Sequence, residues 1–157
     1  MNNTVKVFFL VIISFATVIS CSSSYDSLTE EIVRGVISEL DSATENMDAD
    51  PFSDALSDDV KIVITINMQG QSQVLRPSKR EYLVLLEEGW AEASNYEYTR
   101  TNLKIDIQGN KAFITAIIRE SMTVRGRNLN TRTHEKVTME LINGKPLITK
   151  VVGNIDM

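Results

Sequence analysis

From Tyr96 to the C-terminus the chain alternates apolar and polar residues in four runs, about 96–108, 111–125, 131–142 and 146–156. Between them stand Gly109-Asn110, the segment Gly126 to Asn130, and Asn143-Gly144. A period of two, sustained over long runs and broken by short turn-formers, dictates an antiparallel meander with one apolar face. If Gly109-Asn110 is a two-residue hairpin turn, Ile107 faces Ala112, Ile105 faces Ile114 and Leu103 faces Ala116, apolar against apolar.

The segments before the meander supply helices to cover that face. Ser27-Leu28-Thr29-Glu30 reads as a capping box, and Leu28, Ile32, Val33, Val36, Ile37 and Leu40 form one helical stripe running towards Met47. Asp50-Pro51 predicts an N-cap with proline at the first helical position, opening a short helix through about Leu56. From Asp59 the period changes to two: Val60, Ile62, Ile64, Ile66 and Met68 make a strand, Gln69-Gly70-Gln71 a turn, and Ser72 to Leu75 a return strand that Pro77 stops. Ser78-Lys79-Arg80-Glu81 is a second capping box, and Tyr82, Leu83, Leu86 and Trp90 stripe a helix ending near Ala93. The expected core comprises Ile62, Ile64, Leu83, Leu86, Trp90, Leu103, Ile105, Ile114, Ile118, Val137 and Met139.

At 157 residues and 43% apolar composition this is one globular domain, residues 27–157, with no repeat. Sixteen basic against 21 acidic residues leave no electrostatic footprint for nucleic acid. One cysteine and one histidine allow neither an internal disulfide nor a structural zinc site, and no cofactor or metal is expected. Asp58-Asp59 reads as a strand entry, because adjacent strand residues point to opposite faces.

The first 20 residues read as an address. Lys6 is the only charge before Cys21, and the apolar stretch from Val7 to Ile19 is too short to span a bilayer but suits a secretory leader. Val18-Ile19-Ser20-Cys21 resembles the lipobox of bacterial lipoproteins, which implies cleavage before Cys21 and its lipidation, with residues 21–26 as a polar tether. A plain secretory signal and a buried N-terminal helix are the alternatives, and neither requires a cysteine there. Ser22, where an aspartate would signal inner-membrane retention, favours the outer membrane of a two-membrane bacterium, facing the periplasm. The partner implied is a membrane held through the lipid anchor.

The order helix, short helix, strand, turn, helix and four meandering strands resembles the nuclear transport factor 2 superfamily, including its SnoaL-like polyketide-cyclase branch. Asp50-Pro51-Phe52, Ser57-Asp58-Asp59-Val60 and Gly109-Asn110-Lys111-Ala112-Phe113 carry the likeness locally. It implies an α+β cone in which a curved antiparallel sheet wraps the helices and leaves a pocket at its wide end. It also implies a homodimer through the outer sheet face, here Phe113, Ile117 and Val151. The superfamily holds enzymes and binding modules alike.

In the register above, Thr99, Thr101, Ile118, Glu120 and Met122 face inward, Thr99 lies opposite Glu120, and Glu135 shares the inner face with Val137 and Met139. Glu120 and Glu135 are the candidate catalytic carboxylates, directly opposed or one pair out of line; Trp90, Thr99, Thr101 and Met122 are the candidate ligand contacts. Crowded carboxylates away from water make a general acid or base; the bland alternative is a wet rim, or pairing with arginine. His134 falls on the opposite face. Ketosteroid isomerase-like sites add a tyrosine from the first helix and scytalone dehydratase-like sites add histidines, and neither pattern is present. Arg125, Arg127, Arg132, His134 and Lys136 cluster around one hairpin, either as a solvated turn or as a contact for anionic lipid. The favoured function is non-catalytic binding of a small ligand or protein partner, and the alternative is a hydro-lyase or isomerase with a glutamate base.

Overall fold

A computed structural model describes residues 24–157. Its elements are α1 (Glu30–Glu45), α2 (Asp50–Ala55), β1 (Leu56–Met68), β2 (Gln71–Leu75), α3 (Lys79–Ala91), β3 (Ala93–Gln108), β4 (Lys111–Val124), β5 (Arg127–Ile142) and β6 (Lys145–Asp156). The strands form one sheet in the order β2-β1-β6-β5-β4-β3. β1 and β6 run parallel and every other neighbouring pair is antiparallel. This is the expected α+β arrangement, a curved sheet with helices on its inner face.

Local chemistry shifts several boundaries. α1 starts at Glu30 rather than within a Ser27 capping box, because Thr29 is the N-cap and its hydroxyl accepts the Ile32 amide at 3.3 Å. That start leaves Leu28 just outside the helix, where it and Val33 are both buried in the core as a hydrophobic staple. Ala49, not Asp50, caps α2, and Asp48 accepts the Asp50 amide at 3.0 Å. Ser78 and Glu81 form the capping box of α3 as the sequence predicts. The loop expected at 126–130 is instead a two-residue turn, Arg125-Gly126, with φ of 49° and 77°. Both residues occupy the left-handed region that a type I′ turn requires, and the preceding arginine gives no hint of it.

The core lies where Val33, Ile37 and Leu40 of α1 meet Ala112, Ile114, Val137, Met139 and Ile148 of the sheet. Of the expected core, Ile62, Ile114, Ile118, Val137 and Met139 are buried, while Ile64, Leu83, Leu103 and Ile105 pack half-buried against it. Val151 is not on the outer face. One extra residue on β6, where Thr138 pairs with Lys150 but Met139 with Ile148, reverses its alternation and sets Val151 inward opposite Val137. Phe113 remains exposed on the outer face.

The lipobox and Cys21 lie outside the described residues. The first described residues sit on the β5–β6 turn: the Tyr25 amide donates to the Gly144 carbonyl at 2.8 Å. Gly144 has φ of 74°, the left-handed conformation that favours glycine, and Ser24 packs against it. Among the described residues no helix is long and apolar enough to cross a membrane.

Candidate functional site

Two asparagines set the site. Asn102 and Asn95 adopt φ of 55° and 51°, and at each β3 carries one residue more than β4. Asparagine tolerates this conformation because its short polar side chain offsets the clash that penalises other residues. Below the first bulge Ile105 faces Ile114 as the sequence predicts, but above it the pairing slips by one, and Tyr98, not Thr99, stands opposite Glu120. Thr99 is exposed opposite Arg119, and the Thr101 hydroxyl is occupied by the Ile117 carbonyl at 3.3 Å. Neither threonine lines the cavity. Tyr98 and Arg100 do.

The cavity measures about 330 Å³ and lies between the inner face of the sheet and all three helices. Leu40, Phe52, Ile64, Leu86, Trp90 and Ile118 represent its largely apolar wall. Leu86 and Trp90, expected in the core, thus form the lining, and Phe52 stacks obliquely on Trp90 with ring centroids 6.1 Å apart. Met122 does not line the cavity; it pairs with Leu129 and borders a separate groove with Asn128 and Asn130.

Glu120, Glu135 and Arg100 are the charged groups of the cavity lining, and Asp41 holds Arg100 from outside it. Arg100 donates from Nε to Asp41 Oδ1 at 2.8 Å and from Nη1 to Glu135 Oε2. Tyr98 donates to the same Asp41 oxygen at 2.6 Å. Glu120 accepts from the Tyr96 hydroxyl at 2.5 Å and from Thr131 Oγ1 at 3.2 Å. Glu120 and Glu135 are neither opposed nor one pair out of line. Glu120 pairs with Thr131 and Glu135 with Ala116, two same-face steps apart, and Arg100 is held beside Ile118 between them.

Burial, reinforced by Glu135 and Glu120, pushes the Tyr82 hydroxyl well above the usual tyrosine range. Burial does the same for Tyr96, with Glu120 adding to it, and for Tyr98, where Asp41 and Glu135 add and Arg100 opposes. All three stay protonated donors at neutral pH. Burial works against the charge on Arg100, but Glu135, Tyr98 and Asp41 outweigh it and hold the guanidinium above its ordinary value.

Sequence reasoning placed the two glutamates and missed Asp41, Tyr96, Tyr98 and Arg100. A signal for Asp41 was present: it lies four residues after Ile37, at the edge of the α1 apolar stripe. His134 is exposed on the outer face as expected, and among the described residues no group of acidic, histidine and cysteine side chains suits a metal ion. Asp58 holds Lys79 at 3.1 Å, and Arg125 holds Glu92 at 2.6 Å.

No protein-family model and no curated protein matches the sequence. Solved structures do. A conserved protein from Planctomyces limnophilus superposes with a TM-score of 0.67 at 20% identity, covering 80% of this chain and 94% of its own. A nuclear transport factor 2-like protein from Cytophaga hutchinsonii gives 0.63 at 13%, covering 81% and 98%. A hexachlorocyclohexane dehydrochlorinase, LinA-type3, from Novosphingobium barchaimii gives 0.64 at 12%, covering 80% and 84%. The chain therefore has the nuclear transport factor 2-like, or cystatin-like, fold. At these identities the likeness is one of architecture alone.

Proposed function

We propose that the domain is a binding module that takes a small, largely apolar ligand into its cavity and is held at the cell envelope by a lipid on Cys21. One observation carries the binding reading: an apolar cavity of about 330 Å³ whose polar groups are already fixed by partners before any ligand arrives. Asp41 and Glu135 are committed to Arg100, and both oxygens of Glu120 accept hydrogen bonds, so the wall is preorganised at little further cost in ordering. The test uses the neutral dye N-phenyl-1-naphthylamine with wild type and Leu86→Trp, which fills the cavity. Dye fluorescence should rise with wild type and stay flat with the folded variant; equal fluorescence would place the dye elsewhere and overturn the reading.

The anchor fits the geometry of the chain. Cys21 precedes Tyr25 by four residues, a reach of about 14 Å, and Tyr25 is pinned to the β5–β6 turn. A membrane at Cys21 would face that end of the sheet. The hairpin bearing Arg125 and Arg127 lies at the other end of β5, 16 residues away, or roughly 50 Å along an extended strand. The Arg125–Arg127 tip of the basic cluster is therefore remote from the anchoring end, and a solvated turn is the better account of it. Cys21→Ser should lose lipid labelling and accumulate precursor; wild-type fractionation and migration would reject the anchor.

A second reading rests on Glu120, a cavity carboxylate that forms no ion pair among the described residues. In an elimination it would take a carbon-bound proton while Tyr82 protonates the leaving group, and similarity to a dehydrochlorinase fold is consistent with that chemistry. Glu120→Gln separates the readings, since a binding module keeps dye binding and an enzyme loses turnover.

A further inference from the structure

We infer that the cavity selects an apolar ligand carrying an amine, bound as the ammonium at Glu120. This rests on the binding reading above and adds the chemistry of the ligand.

Charge balance within the wall decides the sign. The cavity lining sets Glu120 and Glu135 against one guanidinium, Arg100, whose Nη1 serves Glu135 and whose Nε serves Asp41 outside the lining. A carboxylate or phosphate approaching Arg100 would crowd against Glu135, which already holds its Nη1, and the surplus of acid repels it. Glu120 forms no ion pair among the described residues and is held only by the neutral donors Tyr96 and Thr131. A carboxylate has roughly four lone-pair positions. The two remaining on Glu120 are the best unused acceptors in the wall.

The surroundings suit a cation with an apolar body. Tyr82, Trp90 and Tyr98 present aromatic rings to the cavity together with Glu120, and an ammonium gains from ring faces as well as from the carboxylate. The rest of the wall, including Leu40, Ile64 and Ile118, offers an alkyl or aryl body nothing to hydrogen-bond and much to bury. A neutral alcohol of the same shape would gain the burial without the charge-assisted bond. An acid would meet like charge.

Three probes of one shape test this: 4-phenylbutylamine, 4-phenylbutan-1-ol and 4-phenylbutyrate, each titrated at neutral pH by calorimetry and by the fluorescence of Trp90, the only tryptophan. The full chain is used, with the domain from Ser24 onward as a detergent-free duplicate. It contains every core and cavity residue named above. The amine should bind at least about tenfold more tightly than the alcohol, the value of one charge-assisted bond, and the acid more weakly than both. Glu120→Gln should bring the amine down to the alcohol and leave the alcohol unchanged. Equal binding of amine and alcohol by wild type overturns the ammonium inference and leaves the cavity reading standing. Tightest binding by the acid overturns it in favour of Arg100. Failure of all three with a folded protein removes the binding reading itself. The wild-type ranking decides the matter even if Glu120→Gln does not fold.

Discussion

Arg100 is the residue on which the polar wall depends. Its side chain is 10% exposed, against 17% for Glu135 and 27% for Asp41, so water can do little to compensate either acid if the arginine is lost. Arg100→Met should cost about 2–4 kcal/mol, read from the urea midpoint, because it strands two partly buried carboxylates. Adding Asp41→Leu and Glu135→Leu should recover most of that loss; a triple variant no better than the single one would show that the ion pairs stabilise the fold outright. None of this was legible from Arg100 itself. In strict alternation from Ile105 it faces solvent, where an arginine belongs, and only a backbone irregularity that composition does not announce brings it inside. Glu120 and Glu135 were legible because β4 and the inner half of β5 keep unbroken alternation, from Ala112 to Ile118 and from Glu135 to Met139.

At the scale of elements, the bulges and caps carry the specificity. Asn102→Gly, which accepts a φ of 55°, should leave stability within about 1 kcal/mol of wild type, whereas Asn102→Val should cost about 1–2 kcal/mol in thermal unfolding. Deleting Asn102 is a different kind of change. It removes the extra residue of the bulge, so plain alternation from Leu103 keeps Arg100 and Tyr98 inward opposite Ile118 and Glu120, and the cavity wall should survive the deletion. On α3, Ser78→Ala should cost about 0.5–2 kcal/mol. The Ser78 amide and hydroxyl hold the Glu81 carboxyl below its ordinary value of 4.5. A lowered folded value means that its contribution is complete above the unfolded value and lost as pH falls through the lowered one. The gap in melting temperature between wild type and Ser78→Ala should therefore narrow in acid below 4.5; a gap constant down to that range would show that the carboxylate half of the box contributes nothing. This box was visible in four consecutive letters. The start of α1 was not, because Ser27 and Thr29 both offer a hydroxyl and only the burial of Leu28 chooses between them.

Across the whole molecule, packing is dense beside the β3–β4 turn and open towards the β4–β5 turn. Ile114 is 1% exposed, and Ile114→Ala should cost about 2–5 kcal/mol in chemical denaturation. Leu86→Ala should cost clearly less, because it enlarges a cavity that already exists; equal losses would mean that the cavity is closed in solution. The outer face still offers Phe113 and Ile117 to a second copy. A dimer by light scattering that Phe113→Glu dissociates would establish that surface, and a monomer at high concentration would remove it. The sheet also has a seam. β6 alone joins the β1–β2 ribbon to the β3–β5 meander, through Ile62 beside Val151 on one side and Val137 beside Val151 on the other. A ribosome makes that strand after the five others. Until it emerges, the β1–β2 ribbon and the β3–β5 meander have no strand between them, and the cavity lacks the part of its wall that Ile148, Val151 and Ile155 supply.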